Sequence, residues 1–446
     1  MADRVTVIGW DGSPLTAAAR SALSAATLVA GAAHHLSLPE VPEAAERIRL
    51  GSVESAARRI AGHRGTAVVL ADGDPGFFGV VRTLRDPRHG LEVEVVPAVS
   101  SVAAAFARAG MPWDDARVVV AHTRTLRRAV NVCRAHPKVA VLTSPGAGPA
   151  ELALMLDGVH RTFVICEALG TEREQVSVLT SDKAADLSWR DPNVVIAIGG
   201  SLPAPAGGGW LLGPDPGPVR GWGLTPETYE ETPAPAPGPA PHPAPHPAPH
   251  TAGHPAPHTA GHPAPPSAPH PAPPSAPHHG TGESPALRAA QLARLGPRVG
   301  DLVWDIGTGS GAFAAEAAHF GAAVIAVDAD PAACARAEAA ARRLGVQLQA
   351  VAGRAPYVLE RLPEPDVVRV GGGGAEVVAA CADRRPERIV THADTRDEAE
   401  AACAALAAGG YTVECALLQS VDLDPAGWAE RDRSLAFLIA GRRPAP

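Results

Sequence analysis

Apolar and polar positions follow two alternating periods over the first 200 residues, lose all periodicity, and resume near residue 287. In the first stretch, VTVIG (5–9), TAVVLADGD (66–74), LEVEVVPA (91–98), ARVVVAHT, VAVLTS, RTFVICEAL and NVVIAIGG are short apolar runs bounded by Gly, Pro and Asp, as strands are. LTAAARSALSAA, a short stretch near 78–85 and SVAAAFARAG carry helical spacing between them. When the pattern resumes, LRAAQLARLG and GAFAAEAAHF read as helices. DLVWDIG, AAVIAVD, VQLQAVAG, DVVRVGG and RIVTHA read as strands. The end differs: YTVECALLQSV and SLAFLIAGRR are two long strands joined by a loop with no helix. Strand–helix alternation of this kind predicts α/β architecture, here in two blocks, the second a mostly parallel sheet finished by an antiparallel pair.

Between the blocks, residues 233–279 are nearly all Pro, Ala and His. HPAPHTAG stands at 246–253 and again at 254–261, and HPAPPSAP at 262–269 and again at 270–277. The segment lacks the apolar mass for a core, and its prolines exclude helix and sheet, so an extended, disordered spacer on the order of 100 Å is expected. Histidines four apart invite a metal. However, a four-residue step along a helix of three residues per turn rotates each side chain by about 120°, so the imidazoles spiral instead of converging, and a solvated spacer is favoured over weak, non-specific metal binding. The expected domains are 1–205, a linker 206–280, and 281–446.

Composition narrows the function. A net charge of −8 argues against a general nucleic-acid binder. Positive charge is almost all arginine, with Lys138 and Lys183 the only lysines, which suits a carboxylate-rich ligand because a guanidinium grips a carboxylate with two prongs. The six cysteines form no C-x-x-C pair, so no zinc knuckle or other metal site is expected. No apolar run approaches the 18 residues of a membrane span, and the amino terminus lacks the apolar core of a signal peptide, so a cytoplasmic protein is expected.

The chemistry concentrates at WDIGTGSGAF (304–313). These residues satisfy both G-x-G-x-G, which suits S-adenosylmethionine, and G-x-G-x-x-A, which suits a dinucleotide. Asp328 ends the next strand, where an ionised carboxylate accepts from ribose hydroxyls in either case. Asp305 favours the first ligand: a carboxylate repels a pyrophosphate, whereas adenosylmethionine carries a sulfonium and an ammonium. A nicotinamide-linked oxidoreductase is the competing reading.

RAAQLARLGPRVGDLVWDIGTGSG, then GRAPYVLERLPEPD, then VGGGG (370–374) give the region from Leu287 onward its resemblance to the decarboxylating precorrin methyltransferases of cobalamin biosynthesis. The resemblance implies a class I, Rossmann-like methyltransferase fold. It implies a cofactor held by Asp305, Gly307, Thr308, Gly309, Ser310, Gly311, Asp328, Arg354 and Ala355, with Gly371, Gly372, Gly373 and Gly374 approaching the substrate. Glu316 is a further candidate substrate group, the alternative being a solvated helix face. Glu283-Ser284 stands where the family has Thr-Lys, and Arg354 stands where it has Asp.

The first block carries a different signature. GDPGFFG, VPAVSSVAAAFARAGMPWDDARVV (96–119), AHTR, LTSPGAGPAEL and CEALGTERE, in that order, resemble the tetrapyrrole methylases, in particular the C5-methylating precorrin branch. The resemblance implies a fold of two α/β subdomains, cofactor contacts at Gly9, Gly73, Asp74, Gly76, Ser100 and Ser101, and candidate catalytic residues His122, Arg124 and Glu167. GWDGS (9–13) stands where that family has G-x-G-P-G. Together the two resemblances imply an enzyme with one S-adenosylmethionine per domain that methylates carbons 5 and 15 of precorrin-6Y, removes the carboxyl of the acetate on carbon 12, and possesses a surface compatible with homo-oligomers. The competing readings are a methyltransferase for another substrate with an inactive amino-terminal binding module, or the oxidoreductase above.

Overall fold

The structure, a computed structural model, describes residues 4–77, 79–199, 221–229 and 283–444. The Pro/Ala/His repeats lie outside the described residues. Three sheets carry the fold. The first contains β1 (Arg4–Trp10), β2 (Leu28–Gly31), β3 (Glu46–Arg49), β4 (Ala67–Asp72) and β5 (Glu92–Val96), all parallel, in the order β3-β2-β4-β1-β5. The second contains β6 (Arg117–Val120), β7 (Lys138–Leu142), β8 (Thr162–Glu167), β9 (Gln175–Thr180) and β10 (Asn193–Ile198), in the order β6-β7-β10-β8-β9. There β10 runs antiparallel to both neighbours, so β6, β7 and β8 point the same way.

The third sheet contains β11 (Leu302–Ile306), β12 (Ala323–Asp328), β13 (Gln349–Ala352), β14 (Val367–Val370), β15 (Arg388–Ala393), β16 (Thr412–Leu423) and β17 (Glu430–Arg442). Its order is β13-β12-β11-β14-β15-β17-β16, parallel except for the final hairpin, as expected for the class I methyltransferase fold. Every residue of β11 is buried. Leu302, Trp304 and Ile306 join the core on one face and Val303 the core on the other, the two-sided burial that makes a central parallel strand read as an unbroken apolar run. The preceding helix, Pro285–Leu295, starts with Ser284 accepting from the Leu287 N–H at 3.2 Å and ends on Gly296 at φ 63°, the left-handed conformation glycine adopts without strain.

Two features bear on how the blocks are joined. Helix Leu126–Ala135 of the second sheet packs on the amino ends of β11 and β14: Asn131 Nδ2 donates to the Gly300 carbonyl at 3.0 Å, and Arg127 meets Asp366 at 2.9 Å. Arg161 caps the end of that helix by donating to the Cys133 and Arg134 carbonyls at 2.9 Å, and reaches Gln347 Oε1 at 3.2 Å. The second feature corrects the expected linker. Residues 221–229, inside the span 206–280, are not a free tether: Leu224 and Tyr229 pack against Ala315, Ala340 and Leu344. Two apolar side chains and one buried carboxylate, Glu316, hold this piece, which the surrounding Pro/Ala/His composition concealed.

Candidate functional site

Two separate sites emerge, each at the carboxyl ends of parallel strands, where loops are free to bind ligands. The first lies between the two amino-terminal sheets. It is a cavity of about 570 Å³ lined from one side by residues following β1, β4 and β5 and from the other by residues at the ends of β6, β7 and β8 and the start of β10. Gly73, Asp74, Ser100 and Ser101 line it together. Gly73 takes φ 62°, and a Cβ there would stand 2.8 Å from the Ser101 nitrogen, so the turn and the helix start fit only without a side chain. Ser100 caps helix Ser101–Ala109 by accepting from the Ala103 N–H at 3.1 Å, and Asp74 accepts from the Gly76 N–H at 2.8 Å. Gly9 sits just behind the lining, where a Cβ would meet the Gly73 carbonyl at 2.3 Å.

The departures in GWDGS have work to do here. Asp11 Oδ2 accepts from the Val99 N–H at 3.1 Å and Oδ1 accepts from the Ser13 N–H at 3.0 Å, pinning the first loop to the serine turn. Although burial opposes it, these donors hold the Asp11 carboxyl below its ordinary value. Gly12, at φ 87°, lies so close to the second sheet's loop that a Cβ would be 1.9 Å from the Gly170 carbonyl.

The three candidate catalytic residues of this half are elsewhere. His122 and Arg124 are exposed in the turn after β6 and do not line the cavity. Glu167 is 4% exposed, and its Oε1 accepts from the Arg190 N–H at 2.6 Å, so it holds the loop leading into β10. Two of the cavity's titratable side chains, His34 and Asp72, escape sequence reasoning because nothing in AHHL or in the last residue of a strand marks them.

The second site lies at the point where the seven-stranded sheet reverses its order, between β11 and its neighbours β12 and β14. The loop after β11 holds Gly307, Thr308, Gly309, Ser310 and Gly311, and the loop after β14 holds Gly371 to Gly374. A Cβ on Gly307 would meet the Gly372 nitrogen at 3.0 Å, so the two loops are in contact. Gly311 is needed for a different reason: a Cβ there would be 2.1 Å from Ala337 Cα in helix Pro331–Arg343, which follows β12. Gly309 takes φ 56° with nothing within 4 Å of a Cβ, and its N–H donates to Asp328 Oδ2 at 3.0 Å. Open space beside a half-exposed carboxylate with unused lone pairs fits a ribose and the amino-acid end of adenosylmethionine. Arg354 is exposed and Ala355 half-buried in the loop after β13.

Beneath the loops lies a buried ion cluster that sequence reasoning missed. Asp305 is fully buried; Oδ2 accepts from Thr308 Oγ1 at 2.6 Å and Oδ1 from Arg369 Nη1 at 2.9 Å. Arg369 also meets Glu283 at 2.9 Å and donates to the Gly307 carbonyl at 3.1 Å. Burial pushes the Asp305 carboxyl up, against Arg369 and Thr308. Although burial opposes it, Glu283 and Asp305 hold the guanidinium above its ordinary value, fully protonated.

Glu316 is neither a substrate group nor a solvated helix face. It is 2% exposed and accepts from the Gly223 and Leu224 N–H groups at 2.6 and 3.1 Å, from Tyr229 Oη at 2.5 Å and from Arg288 Nε at 2.8 Å. Those four donors fill its acceptor sites, and its role is to clamp residues 221–229 onto the domain.

Residues 10–185 match the family of Tetrapyrrole (Corrin/Porphyrin) Methylases, and residues 278–428 match the Precorrin methyltransferase domain. A Sinorhizobium protein named precorrin-6Y C(5,15)-methyltransferase [decarboxylating] is 30% identical over 403 residues, covering 87% of this chain and 84% of the relative. A cobalt-precorrin-7 C(5)-methyltransferase of Salmonella typhimurium is 34% identical over 169 residues, 36% of this chain and 82% of its own length. The solved C-terminal domain of precorrin-6Y C5,15-methyltransferase from Rhodobacter capsulatus shares 27% identity, covering 37% of this chain and 93% of that one with a TM-score of 0.31. With a relative 30% identical and matched across most of both chains, this chain belongs to the family of decarboxylating precorrin-6Y C(5,15)-methyltransferases.

Proposed function

We propose that the chain transfers two methyl groups from S-adenosylmethionine to a precorrin, to carbon 5 in the amino-terminal cavity and to carbon 15 at the glycine loops of the seven-stranded sheet, and that the second site also releases the carboxyl of the acetate on carbon 12 as carbon dioxide. The observation that carries this reading is that one chain holds two glycine-lined sites, each at the carboxyl ends of its own parallel sheet. Each site would hold its own adenosylmethionine. Gly73, Asp74, Ser100 and Ser101 would hold the first; Gly309 and Asp328, with the loop supported by Asp305 and Arg369, would hold the second.

Bound there, the cofactor supplies an electrophilic methyl on a sulfonium, chemistry that needs no metal. The protein's task is to align that methyl with the nucleophilic carbon and exclude water. The open flank of Gly372, where a Cβ meets nothing within 4 Å, leaves room for the substrate beside the loop. Decarboxylation needs an electron sink, and the conjugated ring provides one. No helix among the described residues is long and apolar enough to cross a membrane.

Incubating the full chain with precorrin-6Y and adenosylmethionine should give a product heavier by two methyls, about 28 mass units, and lighter by one carbon dioxide, about 44, as the two sites require. Gly372→Val in the full chain should remove the carbon dioxide release and one methylation while leaving the other. An unchanged precorrin, or a heat of binding with a nicotinamide dinucleotide in place of adenosylmethionine, would overturn the reading.

A further inference from the structure

A side-chain cluster at the mouth of the amino-terminal cavity has no part in cofactor binding as described. His34 Nε2 lies 2.8 Å from Asp72 Oδ1, and His35 Nε2 lies 3.1 Å from the same oxygen. Trp10 packs on both imidazoles, with ring centroids 6.1 and 5.8 Å away. His34, Asp72 and Trp10 line the cavity, whereas His35 is 1% exposed behind them.

Three such donors within 4.8 Å of one another are spaced for a metal ion. The hydrogen bonds favour a different use. His35 Nδ1 accepts the Ala32 N–H at 3.2 Å, which places the neutral ring's proton on Nε2, facing Asp72. A metal would have to displace that proton or that backbone bond. Although burial opposes it, the His34 Nε2 hydrogen bond and the nearby His35 imidazole hold the Asp72 carboxyl well below the usual carboxylate range. It stays an anion, fixing the ring of His34 through Nε2. The other nitrogen of His34, Nδ1, has no protein partner among the described residues.

Methylation creates a need for such a group. When a carbon of the conjugated ring attacks the methyl, its π pair forms the new C–C bond. The C–S bond breaks with its electrons going to sulfur, and the tetrapyrrole is left with one more positive charge. That charge is relieved when a ring N–H or C–H gives up its proton. The cavity's other carboxylates are each held by protein donors: Asp11 by Ser13 and Val99, Asp74 by the Gly76 N–H, and Asp191 by Asn193 Nδ2 at 3.3 Å, with burial raising Asp191 and making it the rival acceptor. Burial keeps Cys166 a thiol, pushed up to about 11. Among the described residues His34 is the only histidine lining the cavity, and a neutral imidazole nitrogen can accept a proton.

We infer that His34 is the proton acceptor of the first methylation, taking the proton on Nδ1 while Asp72 stabilises the imidazolium and His35 and Trp10 fix its orientation. This assignment rests on the proposed carbon-5 methylation in that cavity.

The test uses the full chain with precorrin-6Y, so that the second site's methylation and carbon dioxide release serve as an internal control. His34→Gln should slow the first methylation by about 100-fold or more and abolish the acid limb of its pH–rate profile, without changing adenosylmethionine affinity by calorimetry or the second site's output. Asp72→Asn should slow the same step less and shift that limb. First-site methylation by His34→Gln at the wild-type rate with the wild-type pH profile would overturn the inference and leave the proposed function standing. Stoichiometric zinc retained by the wild-type chain and lost from His34→Gln, with the first methylation abolished by chelators, would also overturn it and assign the cluster to a metal. Absence of first-site methylation in the wild-type chain would sink the proposed function instead, and the inference with it.

Discussion

The two glycine-lined sites solve the same problem with different kinds of order. In the amino-terminal cavity the walls belong to two sheets, and the decisive contact is main chain against main chain where Gly12 meets Gly170. Its geometry is a property of how two subdomains sit together. At the carboxyl-terminal site one sheet supplies everything, and the loops rest on a buried Glu283–Arg369–Asp305 cluster. The first site should therefore be sensitive to small steric changes far from the reacting atoms, whereas the second should be sensitive to loss of charge.

The largest effect tests the first half of that contrast. Gly12→Ala places a methyl 1.9 Å from the Gly170 carbonyl at a φ of 87°, so the two sheets must part. First-site methylation should fall by about 100-fold or more while carbon dioxide release persists, because misplacement on the order of 1 Å costs that much. Equal loss at both sites by mass spectrometry would erase the distinction. Next, Arg369→Met strands two carboxylates in the core. The carboxyl-terminal domain should lose about 3–5 kcal/mol in denaturant unfolding. A loss under 1 kcal/mol would show that the cluster is not what supports the loops.

The seam between the blocks gives a third test. Burial, aided by the nearby Arg117 charge, lowers the His136 imidazole from 6.5 to about 4. The unfolded chain then binds a proton that the folded chain refuses, so stability falls as pH drops from 6.5 towards 4 and levels off below. The full difference is about 3 kcal/mol. His136→Gln should flatten that part of the stability-versus-pH curve, and an unchanged slope would assign the acid sensitivity to other groups. The smallest effect sharpens the second half of the comparison. Asp328→Ala should weaken adenosylmethionine at the carboxyl-terminal site by about 1–3 kcal/mol in calorimetry, leaving the other site's affinity unchanged.

How legible each site was in the sequence follows from the same contrast. The central strands were readable because burial on both faces makes them unbroken apolar runs. Strand β3, ERIR, and strand β9, QVSVLT, were not, because edge strands expose most of their side chains and lose the apolar signal. The glycines of 307–311 were legible as a loop, but the sequence could not say that Gly311 serves helix packing and Gly309 open space. Glu283 stood out only as a departure from the Thr-Lys pattern. Its partner Arg369 lies in an otherwise apolar strand, and only the fold brings them together. Glu316 reads as one more charged position on a helix, since the main-chain donors that claim it, Gly223 and Leu224, lie far off in sequence, just before the Pro/Ala/His stretch. Ala168 illustrates the same limit: it occupies φ 47°, a left-handed conformation more comfortable for Gly or Asn, and no periodicity reports it.

The seat of helix Leu126–Ala135 on the amino ends of β11 and β14 has a kinetic corollary. The glycine loops lie at the opposite ends of those strands, which for the five residues of β11 is roughly 16 Å farther from the seam. Among the described residues, none of the carboxyl-terminal domain lines the amino-terminal cavity. A once-processed precorrin is then expected to pass through bulk solvent before it is captured again, by the same molecule or by any other. Time courses should show a lag before the final product, the half-processed species should accumulate when precorrin greatly exceeds enzyme, and an excess of chain inactivated at its first site should intercept it. Fusion of the two blocks then secures equal numbers of each catalyst instead of private delivery between them.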